Sequence, residues 1–247
     1  MMGLLVLLRH GESTANAAGI FTGLQDVPLT RQGVAEARRA GSAMARQGIR
    51  PDLVLTSTLQ RSIHTAEVVT DVLGLDVRTE QRWELNERNY GALTGMTKAH
   101  ARTVLGEERF FAVRRTRTGR PPRMSVTAWM RLRRTPALRN LPWAAVRRTE
   151  ALADVILRVQ PFLVAQVLPE LRLGRTVVLI AHGNSLRAVC ACVDELTDGE
   201  LAQLNLPTAQ PLMYRFDAPT GFGPRGGEYI DPDAQEAAAA VAAEGGT

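Results

Sequence analysis

The chain has 247 residues, 45% of them apolar and 22% charged, a composition able to bury a core and unlike that of a disordered chain. Its opening apolar run, residues 4–8, stops at Arg9-His10; a signal peptide needs about 7–15 apolar residues and a membrane span about 20, so a cytoplasmic protein without a membrane partner is expected. The formal charge of +5 hides a split: residues 109–148 hold twelve arginines and no acid, leaving 18 basic against 25 acidic side chains elsewhere. Such a segment points to phosphate-bearing partners, either small metabolites or nucleic acid. Cys190 and Cys192, one residue apart, suit neither a zinc site nor a disulfide framework.

In chain order, residues 4–8 form a short continuous apolar run followed at once by a polar turn, which reads as a buried strand. Thr30 caps a helix to about Gln47, with Val34, Ala37 and Ala40-Gly41 on one face and Gly48 ending it. A strand at 53–56, a helix at 58–73 and a strand at 75–79 follow. From Trp83 the periodicity weakens and Gly, Asn and Arg dominate, so 83–150 reads as an irregular arm or lid. A helix at 149–172, the clear strand 176–181, a helix through Cys192 and a last strand at 212–216 complete the pattern. Beyond Asp217 the chain turns to Pro, Gly, Ala and acids, and 218–247 is expected as a loosely ordered tail. Alternating strands and helices imply an α/β fold, a three-layer helix–sheet–helix sandwich with a mostly parallel sheet, in one domain over 1–217.

Ligands of such sheets bind beyond the carboxyl ends of the strands. Arg9-His10-Gly11-Glu12 and Ala181-His182-Gly183-Asn184 both lie there, each a strand ending in His with a Gly behind it that lets backbone approach an anion. A lone His-Gly is usually structural. Two of them, each closing a strand, fit a pair of imidazoles facing one phosphoryl group: one attacks phosphorus and the other stabilises the transferring oxygens. Without a metal, the equatorial charge needs cations. Arg9 adjoins the nucleophile and Arg61 follows the second strand, and a guanidinium holds two phosphate oxygens at once. His64 and His100 belong to no motif and read as structural.

The run Arg9-His10-Gly11-Glu12-Ser13 with Asn16 and Phe21-Thr22-Gly23 resembles the nucleophile region of the histidine phosphatase superfamily. Leu85-Asn86-Glu87-Arg88-Asn89-Tyr90-Gly91, the lone Lys98, Arg114-Arg115, His182 to Arg187 and Leu204 to Thr208 are similar, more narrowly, to its phosphoglycerate mutase branch. The resemblance covers about 4–216, with a gap in the middle, and implies a phosphoglycerate mutase-like fold. It makes His10 the phosphorylated nucleophile and His182 its partner, with Arg9, Arg61 and Asn16 around the phosphoryl group. Glu87 would shuttle the substrate proton, and Thr22, Gly23, Gly183 and Asn184 would line the site. Tyr90, Lys98, Arg114 and Arg115 would hold the substrate carboxylate and second phosphate. The implied reaction is interconversion of 3-phosphoglycerate and 2-phosphoglycerate in glycolysis and gluconeogenesis, primed by 2,3-bisphosphoglycerate and using no metal. A homo-oligomer, dimer or tetramer, is implied as well.

The chain departs from that pattern at Asn89, where the family has His, at Leu24 and Val113, where it has Trp, and over 123–148, where its acidic, Tyr-containing stretch is replaced by an Arg-rich one. These changes leave open a phosphatase that uses the same nucleophile on a small phosphate monoester. Nucleic-acid binding through 109–148 is disfavoured: aromatics for stacking are sparse (Phe110, Phe111, Trp129, Trp143), and the paired His motifs would be left unexplained.

Overall fold

The computed structural model of the chain describes residues 2–231 and, beyond them, 234, 236, 238 and 239. In chain order its elements are β1 (Gly3–Arg9), α1 (Thr14–Ala17), α2 (Arg31–Arg46), β2 (Leu53–Thr56), α3 (Gln60–Leu73), β3 (Arg78–Gln81), α4 (Lys98–Leu105), α5 (Glu107–Arg115), α6 (Val126–Arg133), α7 (Leu152–Phe162), α8 (Leu168–Arg172), β4 (Thr176–Ala181), α9 (Gly183–Val193), α10 (Asp198–Gln203), β5 (Leu212–Asp217) and β6 (Gly221–Tyr229). The six strands make one sheet in the order β3-β2-β4-β1-β5-β6. The first four run parallel, and β5 is antiparallel to both β1 and β6. The expected three-layer, mostly parallel α/β fold is therefore present.

Because side chains alternate along a strand, β1 feeds both faces of the sheet. Leu5 and Leu7 join Val177, Leu179 and the α7 and α9 residues Val155, Val159, Leu186 and Val189 in one core. Val6 and Leu8 join Val178, Ile180 and the α2 and α3 residues Ala40, Met44, Ala66 and Val69 in the other. All are buried, and each of the Val, Leu, Ile and Met side chains contributes about 1.5–3 kcal/mol relative to exposure. The Thr30 cap on α2 is present, its hydroxyl accepting the Gly33 N–H at 3.0 Å. Gly74, left-handed at φ 62°, ends α3.

Four differences from the sequence reading have identifiable causes. Strand β3 lies at Arg78–Gln81, later than 75–79, because it is an edge strand whose largely exposed Arg-Thr-Glu-Gln carries no apolar signal. The arm is not irregular: it contains α4, α5 and α6, with Thr97 and Ser125 capping α4 and α6 by accepting N–H groups at 3.2 and 3.1 Å. Its apolar residues form two small clusters, one around Phe21, Tyr90 and Phe110 and one around Leu24, Met124 and Leu138. The expected helix 149–172 starts at Leu152 and passes from α7 to α8 through a π-turn at Leu163–Val167. Pro161 and Pro169 each remove an N–H donor from that path. The expected loose tail is corrected at its start: Gly221–Tyr229 forms β6, whose backbone groups pair with β5. The tail from Pro232 onward, four residues apart, lies outside the described residues.

The stretch Leu152–Arg172 is by length and composition apolar enough to cross a membrane (21 residues, mean hydropathy 1.4). In this structure it packs Leu152, Val155, Val159, Phe162, Val167 and Leu171 into the core beside the sheet.

Candidate active site

Strands β1 and β4 are parallel neighbours in the register Arg9↔Ala181, so the two residues that follow them emerge side by side. The His10 N–H donates to the Ala181 carbonyl at 3.0 Å. The imidazoles of His10 and His182 stand edge to face, 4.9 Å apart between centroids and inclined by 61°. Both rings are buried.

Their hydrogen bonds assign the tautomers. His10 Nδ1 lies 2.7 Å from the Gly11 carbonyl oxygen, which can only accept, so Nδ1 carries the proton and Nε2 presents a lone pair. His182 Nε2 lies 2.7 Å from Ser57 Oγ. That oxygen also accepts the Leu59 N–H at 3.2 Å, and among the described residues Nε2 is the one acceptor within reach of the buried Ser57 hydroxyl, so the hydroxyl donates to Nε2 and the His182 proton is assigned to Nδ1. This Nδ1 is buried with no protein partner, leaving a donor for a ligand oxygen. Burial, with Arg61 and Arg9 adding repulsion, holds His10 well below the usual imidazole range; burial followed by Arg61, His10 and Arg9 does the same for His182. Both rings are neutral at pH 7, as a nucleophile and a hydrogen-bond donor require.

Gly11 serves a different purpose from the one read in the sequence. A Cβ there would lie 2.2 Å from the Gly33 carbonyl oxygen, and one on Gly33 would lie 2.1 Å from the Glu12 carbonyl oxygen. The pair lets the loop after β1 press on the start of α2.

Two guanidinium groups border the histidines. Arg61, in the first turn of α3, donates Nη1 to the Gln25 carbonyl at 2.8 Å and Nη2 to the Gly23 carbonyl at 3.0 Å. Desolvation lowers it to about 10, partly offset by Glu87 and Asp26, so it remains charged at pH 7. Arg9 donates Nη1 to the Leu206 carbonyl at 2.9 Å, while its buried Nε has no partner. Asn16 Oδ1 accepts from Ser13 N and Oγ at 3.1 and 2.8 Å. Gly23 is left-handed at φ 51°, and a Cβ there would meet the Arg88 carbonyl at 3.1 Å and the Tyr90 nitrogen at 3.2 Å.

Glu87 and Tyr90 form the opposite wall. Glu87 Oε1 accepts the Arg88 N–H at 2.6 Å and Oε2 the Asn184 N–H at 3.5 Å. Asn184 Nδ2 donates to the Tyr90 hydroxyl at 2.9 Å. The buried Arg114 guanidinium stacks 5.4 Å above Phe110 and 5.9 Å above Phe21.

A narrow cavity of about 60 Å³ joins the two walls, and Lys98 at the start of α4 reaches it. Of the site residues named from the sequence, His182, Asn184 and Arg115 do not line it. His182 and Asn184 are buried directly against lining residues, His182 edge to face with His10 and Asn184 bonded to the Tyr90 hydroxyl, with His182 Nδ1 left for a ligand oxygen at His10. Arg115 is placed elsewhere: its guanidinium donates to the Ala202 carbonyl at 2.7 Å (Nε) and to Asn205 Oδ1 at 3.0 Å (Nη1). It braces the turn whose Leu206 carbonyl holds Arg9. Ser13, Ile20 and Phe21 line the cavity although the sequence reading assigned them no role. For Ser13 the signal was its place directly after Arg-His-Gly-Glu; for Ser57, 125 positions from its histidine, there was none. The departures Leu24, Asn89 and Val113 are all buried and do not line the cavity.

A profile of the histidine phosphatase superfamily (branch 1) matches residues 5–142. The chain is 45% identical to the 2,3-bisphosphoglycerate-dependent phosphoglycerate mutase of Thermobifida fusca (strain YX), over 99% of this chain and 100% of that one. It is 43% identical to the protein of the same name from Mycobacterium tuberculosis, over 98% of each. Among solved structures it is similar to a mycobacterial glucosyl-3-phosphoglycerate phosphatase (TM-score 0.66, 26% identity, 87% of this chain and 91% of that one). A Bacillus stearothermophilus protein shares the fold (TM-score 0.66, 22% identity, 90% and 94% covered).

Proposed function

Because this chain belongs to the histidine phosphatase superfamily, branch 1, we propose that it interconverts 3-phosphoglycerate and 2-phosphoglycerate through a phosphohistidine on His10. The near-full-length relatives named 2,3-bisphosphoglycerate-dependent phosphoglycerate mutase support this reading. The observation that carries it is the make-up of the cavity: a neutral His10 on one wall, a carboxylate, Glu87, on the other, and Arg114 and Lys98 between them. The first two provide phosphoryl transfer with proton transfer, and the second two recognise a further anionic group on a small substrate.

In the forward direction, Glu87 removes the proton of the substrate hydroxyl as its oxygen attacks the phosphoryl group on His10. The P–N bond breaks and its electron pair returns to Nε2. Arg9, Arg61 and the His182 Nδ1–H hold the three equatorial oxygens while charge spreads over them. The reverse step, Nε2 attacking phosphorus with Glu87 protonating the departing oxygen, reloads the enzyme. 2,3-Bisphosphoglycerate, when bound, supplies the phosphoryl group that primes His10. Its fit is supported by two buried donors without protein partners, Arg9 Nε and His182 Nδ1, beside the nucleophile. A narrow site also keeps water from the phosphohistidine. Action in the cytoplasm on a small phosphorylated metabolite, without nucleic acid or membrane, belongs to the same reading, as does a homo-oligomeric state.

A phosphatase acting on a small monoester is the second reading, favoured by the fold's likeness to the glucosyl-3-phosphoglycerate phosphatase. Turnover of 3-phosphoglycerate with and without 2,3-bisphosphoglycerate, following 2-phosphoglycerate and free phosphate together, separates the two. Isomerisation stimulated by the bisphosphate, with little phosphate released, is expected. Phosphate release without isomerisation would replace the mutase by the phosphatase.

A further inference from the structure

A buried ion pair lies directly behind the loop that carries Glu87. Arg158 of α7 and Glu150, two residues before α7, meet at 3.1 Å between Nε and Oε1, with side chains only 9% and 3% exposed. Neither side chain lines the active-site cavity. Arg158 Nη2 donates to the carbonyls of Asn86 at 2.8 Å and Glu87 at 3.3 Å, and Nη1 donates to the Glu84 carbonyl. Glu150 Oε2 accepts the Asn89 N–H at 2.9 Å, and the Glu150 N–H donates to the Asn89 carbonyl at 2.9 Å. The backbone on both sides of Glu87 is thus fastened to one ion pair.

A buried pair is a weak device for stability, because desolvation offsets most of its attraction; a role in fixing one conformation explains it better. The conformation at issue is that of the Glu87 carboxylate. It accepts two backbone N–H groups, those of Arg88 and Asn184, so its position follows the backbone of the loop. Asn89, next in the loop but one, is also tied through Nδ2 to the Arg147 carbonyl at 2.5 Å, which joins the loop to the root of the arm.

We propose that Glu150 and Arg158 are positioning residues for proton transfer: they set the height of Glu87 against the substrate oxygen and leave the attack by His10 to other groups. The inference rests on the reading of Glu87 as the proton carrier. When a phosphoryl group passes to His10, the P–O bond breaks and its electron pair stays on the leaving oxygen. The alkyl oxygen of a phosphoglycerate needs the Glu87 proton at that moment. 4-Nitrophenolate leaves as a stable anion and does not. Misplacing Glu87 therefore slows the first donor more than the second, whereas general damage to the site slows both alike.

The test is the rate of His10 phosphorylation in the full chain by 2,3-bisphosphoglycerate and by 4-nitrophenyl phosphate, expressed as the ratio of the two. Glu87→Gln calibrates it, with an expected fall of about 10²–10⁴ in the ratio. Glu150→Gln and Arg158→Met are expected to lower the ratio by about tenfold or more, as a small misplacement of a catalytic group does. Arg158→Lys, which keeps the charge but not the fork across the carbonyls, falls between these and the unsubstituted protein. The second donor also reports that each variant still holds a folded site. Equal losses on both donors, or an unchanged ratio in the pair variants while Glu87→Gln lowers it, would overturn the positioning role alone. An unchanged ratio in Glu87→Gln would overturn the proton-carrier reading and the inference with it. Phosphate release in place of isomerisation by the unsubstituted enzyme would change the proposed reaction but not this comparison.

Discussion

The arginines beside the histidines and those of the arm make opposite uses of one side chain. Arg61 is 2% exposed and each of its terminal nitrogens is held by a carbonyl beside His10. In the segment 109–148 the charge is denser, but Arg123, Arg131, Arg134 and Arg139 are exposed to solvent. Others there are structural: Arg148 donates to the Met124 carbonyl at 2.8 Å (Nε) and Arg133 stacks 4.0 Å over Trp143. A high count of positive charge therefore does not locate the chemistry; burial with fixed partners does, because a desolvated and immobile cation interacts far more strongly with a phosphoryl group than a solvated one.

The largest effect is expected at the nucleophile. His10→Ala should abolish both phosphoenzyme formation from radiolabelled 2,3-bisphosphoglycerate and isomerisation. Arg61→Met removes a preorganised cation and should lower kcat by about 10²–10³-fold, as loss of one such donor does; steady-state kinetics checks it. The neighbours Arg114 and Arg115 sharpen the contrast within one helix. Arg114→Leu should raise KM for phosphoglycerate about tenfold or more, in keeping with about 1.5–3 kcal/mol for a charge-assisted hydrogen bond. Arg115→Leu should instead lower Tm, since its partners are the 202–205 turn.

Proton linkage gives a further contrast. His10 and His182 lie well below 6.5 in the folded protein and return to about 6.5 when unfolded. In the window below 6.5 the unfolded chain binds more protons, so stability rises with pH there and is lost as pH falls. Urea midpoints should be level with respect to these two groups above 6.5 and decline below it, and His10→Asn or His182→Asn should flatten the decline. The smallest effect is expected on the arm: Arg131, Arg134 and Arg139 changed together to Gln should alter kcat/KM by less than about threefold, and stability by no more than about 0.5 kcal/mol per site, as surface changes do. A large loss there would mean that solvated arm arginines take part in catalysis.

The paired histidines were legible because each ends a run of apolar residues that admits only a buried strand, with a His-Gly turn directly behind it. Glu87, Tyr90 and Lys98 were legible only through resemblance, since their neighbours in sequence have no periodicity. Helices α4 to α6 were hidden because they are short, polar and Arg-rich, and their stability comes from caps and from contacts such as Phe110 against Phe21 that lie far apart in sequence. Strand β6, Gly-Phe-Gly-Pro-Arg-Gly-Gly-Glu-Tyr, resembles a turn in composition and is a strand because the β5 edge offers it partners. Arg114 and Arg115 could not be told apart for a related reason: two adjacent arginines look equivalent in sequence, yet a helix turns them about 100° apart, one toward the cavity and one toward residues 202–205.

In the proposed reaction a neutral His10, with Nδ1–H fixed by the Gly11 carbonyl, carries the phosphoryl group while His182 donates to it. Quenching the enzyme after mixing with stoichiometric 2,3-bisphosphoglycerate and mapping the phosphoryl group by mass spectrometry under alkaline conditions tests it directly. One acid-labile phosphoryl group is expected, on His10, absent from His10→Ala and formed more slowly in His182→Ala. A phosphoryl group on His182 or on another residue, or one that persists in His10→Ala, would contradict it.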